Sequence, residues 1–232
     1  MNKIITLSCA LSLLTMLPGS LAAAPTAEIK IIGTIVPSAC QLALTNNGLL
    51  DYGKIAASSL KKDAFTPLGT LGMNINITCD APMRVAIIAK SGRGASAVNK
   101  EGGLGEMVDP GITLGGISPG KAIAAGLGVH NGVGIGGYAM AILPAAHEAD
   151  NKAAKLLASG NASGWAAANT AQPLLYGDTS YFSWSSDGKQ PSSHTTFLAG
   201  LNIQPYINKT SELDVTKEVK LNGLATLELI YL

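Results

Sequence analysis

Apolar and polar residues alternate through much of the chain, most cleanly over residues 70–80, TLGMNINITCD. Leu71, Met73, Ile75, Ile77 and Cys79 share one face, with Asn74, Asn76 and Thr78 opposite, which predicts a half-buried strand. MRVAIIAK, after Ala81-Pro82, predicts another, with a turn at 91–94. In residues 223–232, GLATLELIYL, the same alternation puts Ala225, Leu227, Leu229 and Tyr231 on one face and Leu224, Thr226, Glu228, Ile230 and Leu232 on the other. Both faces of this strand are apolar. No hairpin follows it, so its free edge is expected to be completed by an earlier strand or by another molecule.

Residues 27–36, AEIKIIGTIV, form a second such segment. Ala27, Ile29, Ile31, Gly33 and Ile35 fall on one side; Glu28, Lys30, Ile32, Thr34 and Val36 fall on the other. Pro37 cannot donate a ladder hydrogen bond and is expected to end or kink this strand. Beyond Cys40, Asn47-Gly48 between two apolar runs predicts a hairpin. Further strands are expected over 133–143, closed by Pro144, over 174–184 and over 196–203. Glycine crowds residues 92–137 and blurs the pattern there, while 148–158 has the composition of a short helix or a mobile loop. Many short strands separated by Gly, Pro and Asn turns indicate a sandwich or a barrel.

The first residues change the compartment. A lysine, an apolar run over 4–17, then Pro18, Gly19 and SLAAA follow the plan of a secretory leader, with cleavage expected after Ala22, Ala23 or Ala24. About 210 residues then remain, enough for one β domain. Removing Lys3 leaves 15 basic and 15 acidic residues, a balance that offers nothing to nucleic acid or an anionic membrane. No later apolar run approaches the roughly 18 residues of a membrane-spanning helix. Cys9 goes with the leader, and Cys40 and Cys79 are expected to pair in an exported chain.

Candidate chemistry is sparse. GGISPGK, residues 115–121, approaches a phosphate-binding loop, but Ala122 stands where a serine or threonine would hold magnesium. It is expected to be a glycine-rich surface loop. His130, His147 and His194 lack metal-ligand spacing and are expected in exposed loops, and no G-x-S-x-G elbow occurs. No catalytic, cofactor or metal site is expected, and the chain is not expected to be an enzyme.

Three stretches together resemble subunits of chaperone-usher pili: IIGTIVPSAC, with Gly33 seven residues before Cys40; NINITC; and a last strand with the penultimate aromatic Tyr231. Residues 27–55, 74–82 and 219–232 are similar to the beta-fimbrial family of uncharacterised function that includes GltF. The resemblance implies a leader over 1–24, an N-terminal donor-strand extension and first strand over 25–37, and a pilin-like domain over 38–232. That domain would be an immunoglobulin-like β-sandwich lacking its last strand, with a Gly/Ala-rich middle insertion. A periplasmic chaperone would first fill the groove beside the C-terminal strand, and a neighbouring fimbrial subunit would replace it at the outer-membrane usher. By position, the donor residues would be Ala27, Ile29, Ile31, Gly33 and Ile35, and the acceptor edge Ala225, Leu227, Leu229 and Tyr231. Two other functions fit the pattern: a self-contained periplasmic protein whose own N-terminal strand closes the groove, and a secreted glycan-binding module using Trp165, Trp184 and nearby tyrosines.

Overall fold

Alternation over Leu71–Met83 (β2) becomes alternation in depth: Met73, Ile75, Ile77 and Cys79 are buried, and the residues between them face solvent. The computed structural model describes residues 30–34, 39–175 and 180–232. Among these there is no α-helix, and nearly all pairing is antiparallel. With β1 at Cys40–Leu44, the remaining principal strands are Val85–Ser91 (β3), Gly136–Ala149 (β4), Lys155–Ser159 (β5), Tyr181–Ser185 (β6), His194–Ile207 (β7) and Ala225–Tyr231 (β8).

Two sheets carry the fold of residues 37–232. The first runs β1–β2–β7–β4 and continues into the short strands Ala124–Gly126 and Met107–Val108. The second runs Ala166–Ala167, β5, β6, β3, β8. Each sheet therefore has an edge strand from near one end of the domain, β1 in the first and β8 in the second. The inner faces share a core in which Trp184, essentially buried, donates its Nε1 hydrogen to the Leu198 carbonyl of the other sheet at 2.7 Å. Its ring lies 5.1 Å from that of Phe197 and 5.9 Å from that of His147.

The glycine-rich middle covers the outer face of the first sheet. On β4, Tyr138, Met140 and Ile142 point into the main core, whereas Ala139 and Ala141 meet Val98, Leu114, Ile117 and Tyr206 in a second cluster. Small side chains let this layer approach closely. At Gly136, where φ is +146°, a Cβ would overlap the Tyr206 carbonyl oxygen, so only glycine fits.

Several expectations need correction. Residues 148–158 form neither a helix nor a loop: β4 turns at Asp150-Asn151, both with positive φ, into the short strand Lys152–Ala153 and then β5. Residues outside the segment fix that turn: the Asp150 carboxylate accepts from the Thr195 and Thr196 amides and the Thr195 hydroxyl and lies 2.8 Å from His194 Nδ1. These bonds favour the ionised carboxylate and hold it well below the usual range. Pro144 does not close its strand; it sits in a bulge between Ile142 and His147, where proline is tolerated. Asn47-Gly48 makes no hairpin. Asn46, Asn47 and Gly48 all take positive φ in a tight turn, and residues 49–56 leave the sheet as irregular chain, with Gly53 also at positive φ. The strand expected over 174–184 begins at Tyr181, with residues 176–179 outside the described set.

The histidines are also corrected, since all three lie in strands: Val129–His130, β4 and β7. His147 is buried, and neither ring nitrogen has a hydrogen-bond partner. Burial lowers its pKa from 6.5 to about 4, so the fold holds the neutral ring while the unfolded chain takes up a proton first. The resulting stability is fully present above pH 6.5 and is lost as pH falls toward 4, a shift worth about 3 kcal/mol. Urea midpoints are expected to fall over that window, and a His147→Phe chain is expected to show a much flatter profile.

Candidate functional site

Between β1 and β8 the sandwich is open. β1 pairs only with β2 and β8 only with β3 among the described strands, so each leaves one edge with unpaired backbone groups. The core-facing side chains Leu42 and Leu44 of β1, and Ala225, Leu227 and Leu229 of β8, pack against the core yet stay partly exposed. A cavity of about 360 Å³ lies here, lined by Leu44, Met73, Met140, Leu201, Ala225 and Leu227 among others. A second, of about 840 Å³, is lined by residues 50–55 on one side and 215–221 on the other, with Ile135, Ile207 and Leu213 also contributing. Both include Leu50, Tyr52 and Leu221 and so form one continuous cleft. Its lining reaches into the core of the domain.

The walls are irregular chain outside the main ladders. Arg93 Nε and Nη2 donate to the carbonyl and side-chain oxygens of Asn222, each at 2.6 Å, and the Asn222 amide donates to the Leu127 carbonyl at 3.0 Å. Opposite, Tyr52 donates its hydroxyl to the Ile203 carbonyl at 3.0 Å, and burial pushes its pKa up to about 12. At the other end the cleft is closed, because the Cys40 amide donates to Tyr231 Oη at 2.9 Å. Cys40 is bonded there to Cys79, its direct partner across β1 and β2.

The expected site residues distribute unevenly. Ala225, Leu227 and Leu229 occupy the core-facing side of β8, while Tyr231 is 49% exposed and bridges to Cys40. Of the donor residues, Ala27, Ile29 and Ile35 lie outside the described set; Ile31 and Gly33 are described and are not in a strand. Ile31 and Ile32 are 92% and 79% exposed. The exposed large apolar residues of the described set include Leu49 and Leu224, both on the cleft lining. Sequence reasoning missed Leu49, Leu50, Tyr52, Val219 and Leu221. The spacing of Leu50 with Tyr52 and of Val219 with Leu221 was the available signal.

Other candidates lose their chemistry. The Asp109 carboxylate accepts from the amides of Gly111 and, in the 115–121 loop, Gly120, at 2.8 and 3.3 Å, so an anion already occupies a backbone donor of that loop. Trp184 belongs to the core, which leaves the glycan reading only Trp165 of its two tryptophans. No group of three or more potential metal ligands occurs among the described residues. None of the described helical segments is long and apolar enough to cross a membrane.

Fold and cleft together define an all-β sandwich with a cleft beside two edge strands. Residues 29–139 match a family described as a protein of unknown function, DUF1120. Over 222 residues, 90% of this chain and 92% of the relative, the chain is 26% identical to the uncharacterized protein YhcF of Escherichia coli strain K12. Over 75 residues, 31% of this chain and 30% of the relative, it is 37% identical to the protein GltF of the same strain. No solved structure matches the chain.

Proposed function

We propose that the chain is an exported structural subunit of a fimbria-like fibre, assembled by donor-strand exchange, with no catalytic role. The observation that carries this reading is the cleft beside the unpaired edges of β1 and β8, lined there by apolar side chains that include Leu44, Met73, Met140, Ala225 and Leu227. An extended segment laid there would pair with exposed backbone while its alternate side chains enter the core, the mode in which main-chain bonds give affinity and pockets give register. The occupant in the fibre is the segment 25–36 of a neighbouring subunit, through Ala27, Ile29, Ile31, Gly33 and Ile35. Burying Ile29, Ile31 and Ile35 contributes about 5 to 9 kcal/mol at roughly 1.5 to 3 kcal/mol each, before ladder bonds are counted. In transit a periplasmic chaperone fills the cleft, and an outer-membrane usher is the site of exchange.

Sedimentation of the exported chain over a range of concentrations tests the reading. Assemblies are expected to grow with concentration, and an excess of a synthetic peptide of residues 25–36 is expected to cap them. A species that stays monomeric throughout, indifferent to the peptide, contradicts it.

A further inference from the structure

We propose that Ser192 is a nucleophile that takes up one acyl group from an activated ester, its proton drawn off by His194, which Asp150 holds in place. The inference goes beyond the fibre reading and does not depend on it.

Three elements bring these groups together. Asp150 sits in the turn that follows β4, His194 opens β7, and Ser192 belongs to the loop between β6 and β7. One carboxylate oxygen of Asp150 accepts from the Thr195 and Thr196 amides and the Thr195 hydroxyl at 2.8 to 3.0 Å. The other lies 2.8 Å from His194 Nδ1. An ionised carboxylate only accepts, so in the neutral ring Nδ1 carries the hydrogen and Nε2 is left as a base. The ring is mostly covered and meets the Phe197 ring edge-on at 5.8 Å, which fixes its plane. Ser192 precedes His194 by two residues, the spacing that puts neighbours on one side of a strand, and its Oγ lies 2.9 Å from Nε2. The Ser186 amide donates to the same Oγ at 3.0 Å. Ser192 Oγ therefore accepts on one side and gives its own hydrogen to Nε2 on the other. Ser186 Oγ stands further from Nε2, at 3.3 Å.

A serine hydroxyl is a weak nucleophile until a neighbouring base takes its proton. Carboxylate, imidazole and hydroxyl in line supply that base already oriented. As Ser192 Oγ attacks the acyl carbon, its proton passes to Nε2. The bond from that carbon to the leaving oxygen then breaks, and Nε2 returns the proton to the departing alcohol. The products are an ester on Ser192 and the free alcohol, with nothing oxidised or reduced.

Two observations confine the chemistry to a single transfer. The Gly188 amide is taken by Ser185 Oγ, those of Lys189 and Gln190 by the Asp187 carboxylate, and that of Ser192 by the Trp184 carbonyl. These four donors are thus withdrawn from a developing oxyanion, so only an ester with a good leaving group reacts and the alkyl ester formed on Ser192 persists. Asp150, His194 and Ser192 line neither cavity of the cleft, so the acyl donor meets them at the surface. The adduct forms once per chain, which stays a structural subunit.

Reaction with p-nitrophenyl acetate reads the nucleophile directly. The full exported chain is treated with the ester, and the acetyl group is located by peptide mass mapping. Ser192 is expected to be acetylated roughly a hundredfold faster than its exposed neighbour Ser193, within the range that a positioned base contributes. In a His194→Gln chain with unchanged circular dichroism that advantage is expected to vanish. Unfolding the wild type in urea is expected to erase it too, a check that does not rely on the variant's folding. Equal acetylation of Ser192 and Ser193 in the folded chain, an adduct on Ser186 instead, or a preference for Ser192 that survives in urea or in folded H194Q would each overturn the proposal. So would steady release of p-nitrophenolate with no retained adduct, which would make the imidazole itself the attacking group.

Discussion

Replacing Ile31 with aspartate is expected to abolish assembly while leaving the domain folded. Ile31 is 92% exposed within the chain itself, so the substitution removes little from the fold. In the proposed fibre the same position enters the cleft of a neighbouring subunit. The change forfeits the roughly 1.5 to 3 kcal/mol of isoleucine burial and also forces a carboxylate to be desolvated without a partner. Together these exceed about 4 kcal/mol, or roughly a thousand-fold in association. Sedimentation of wild type and I31D at one concentration checks it: assemblies for the first, monomer for the second, with indistinguishable circular dichroism. Equal size distributions would place the contact elsewhere.

Losing the disulfide is the second large effect. Cys40 and Cys79 close a loop spanning 39 positions, for which loop-closure entropy gives about 4 kcal/mol. β1 also depends on the bond locally. It is a five-residue edge strand with a ladder on one side only, and its first residue anchors the Tyr231 bridge. A chain carrying both Cys40→Ser and Cys79→Ser is expected to lose about that much stability in urea and to assemble poorly, because one wall of the cleft frays. Unfolding that is the same with and without the bond would remove β1 from the account of the cleft.

Legibility in the sequence followed how local each cause was. β2 was readable because its partners bury one face and leave the other wet, so Met73, Ile75, Ile77 and Cys79 alternate with polar residues. On β8 both faces are apolar, so only the period of two, placing Ala225, Leu227 and Leu229 on one side, was readable. The hairpin from β4 toward β5 was not, since Ala, Leu and Lys there favour helix and the decisive bonds come from Thr195 and Thr196, distant in sequence. In the glycine-rich middle, many strands are only two residues long, too short for any period to show. The cleft itself was half legible. Its β8 edge could be read, but the opposite wall is an irregular stretch after Gly48, held by contacts such as Tyr52 to Ile203. The closing bridge between Cys40 and Tyr231 joins the two ends of the domain and leaves no local trace.

Amide hydrogen exchange along β8 tests most directly whether this edge is completed by another molecule. Every second amide of residues 225–231 points away from β3. In dilute I31D chain these outward amides are expected to exchange rapidly while their neighbours remain protected by the β3 ladder. Adding the wild-type peptide of residues 25–36 is expected to slow them selectively. Outward amides that are already protected in the dilute chain, or that the peptide leaves unchanged, would contradict the account.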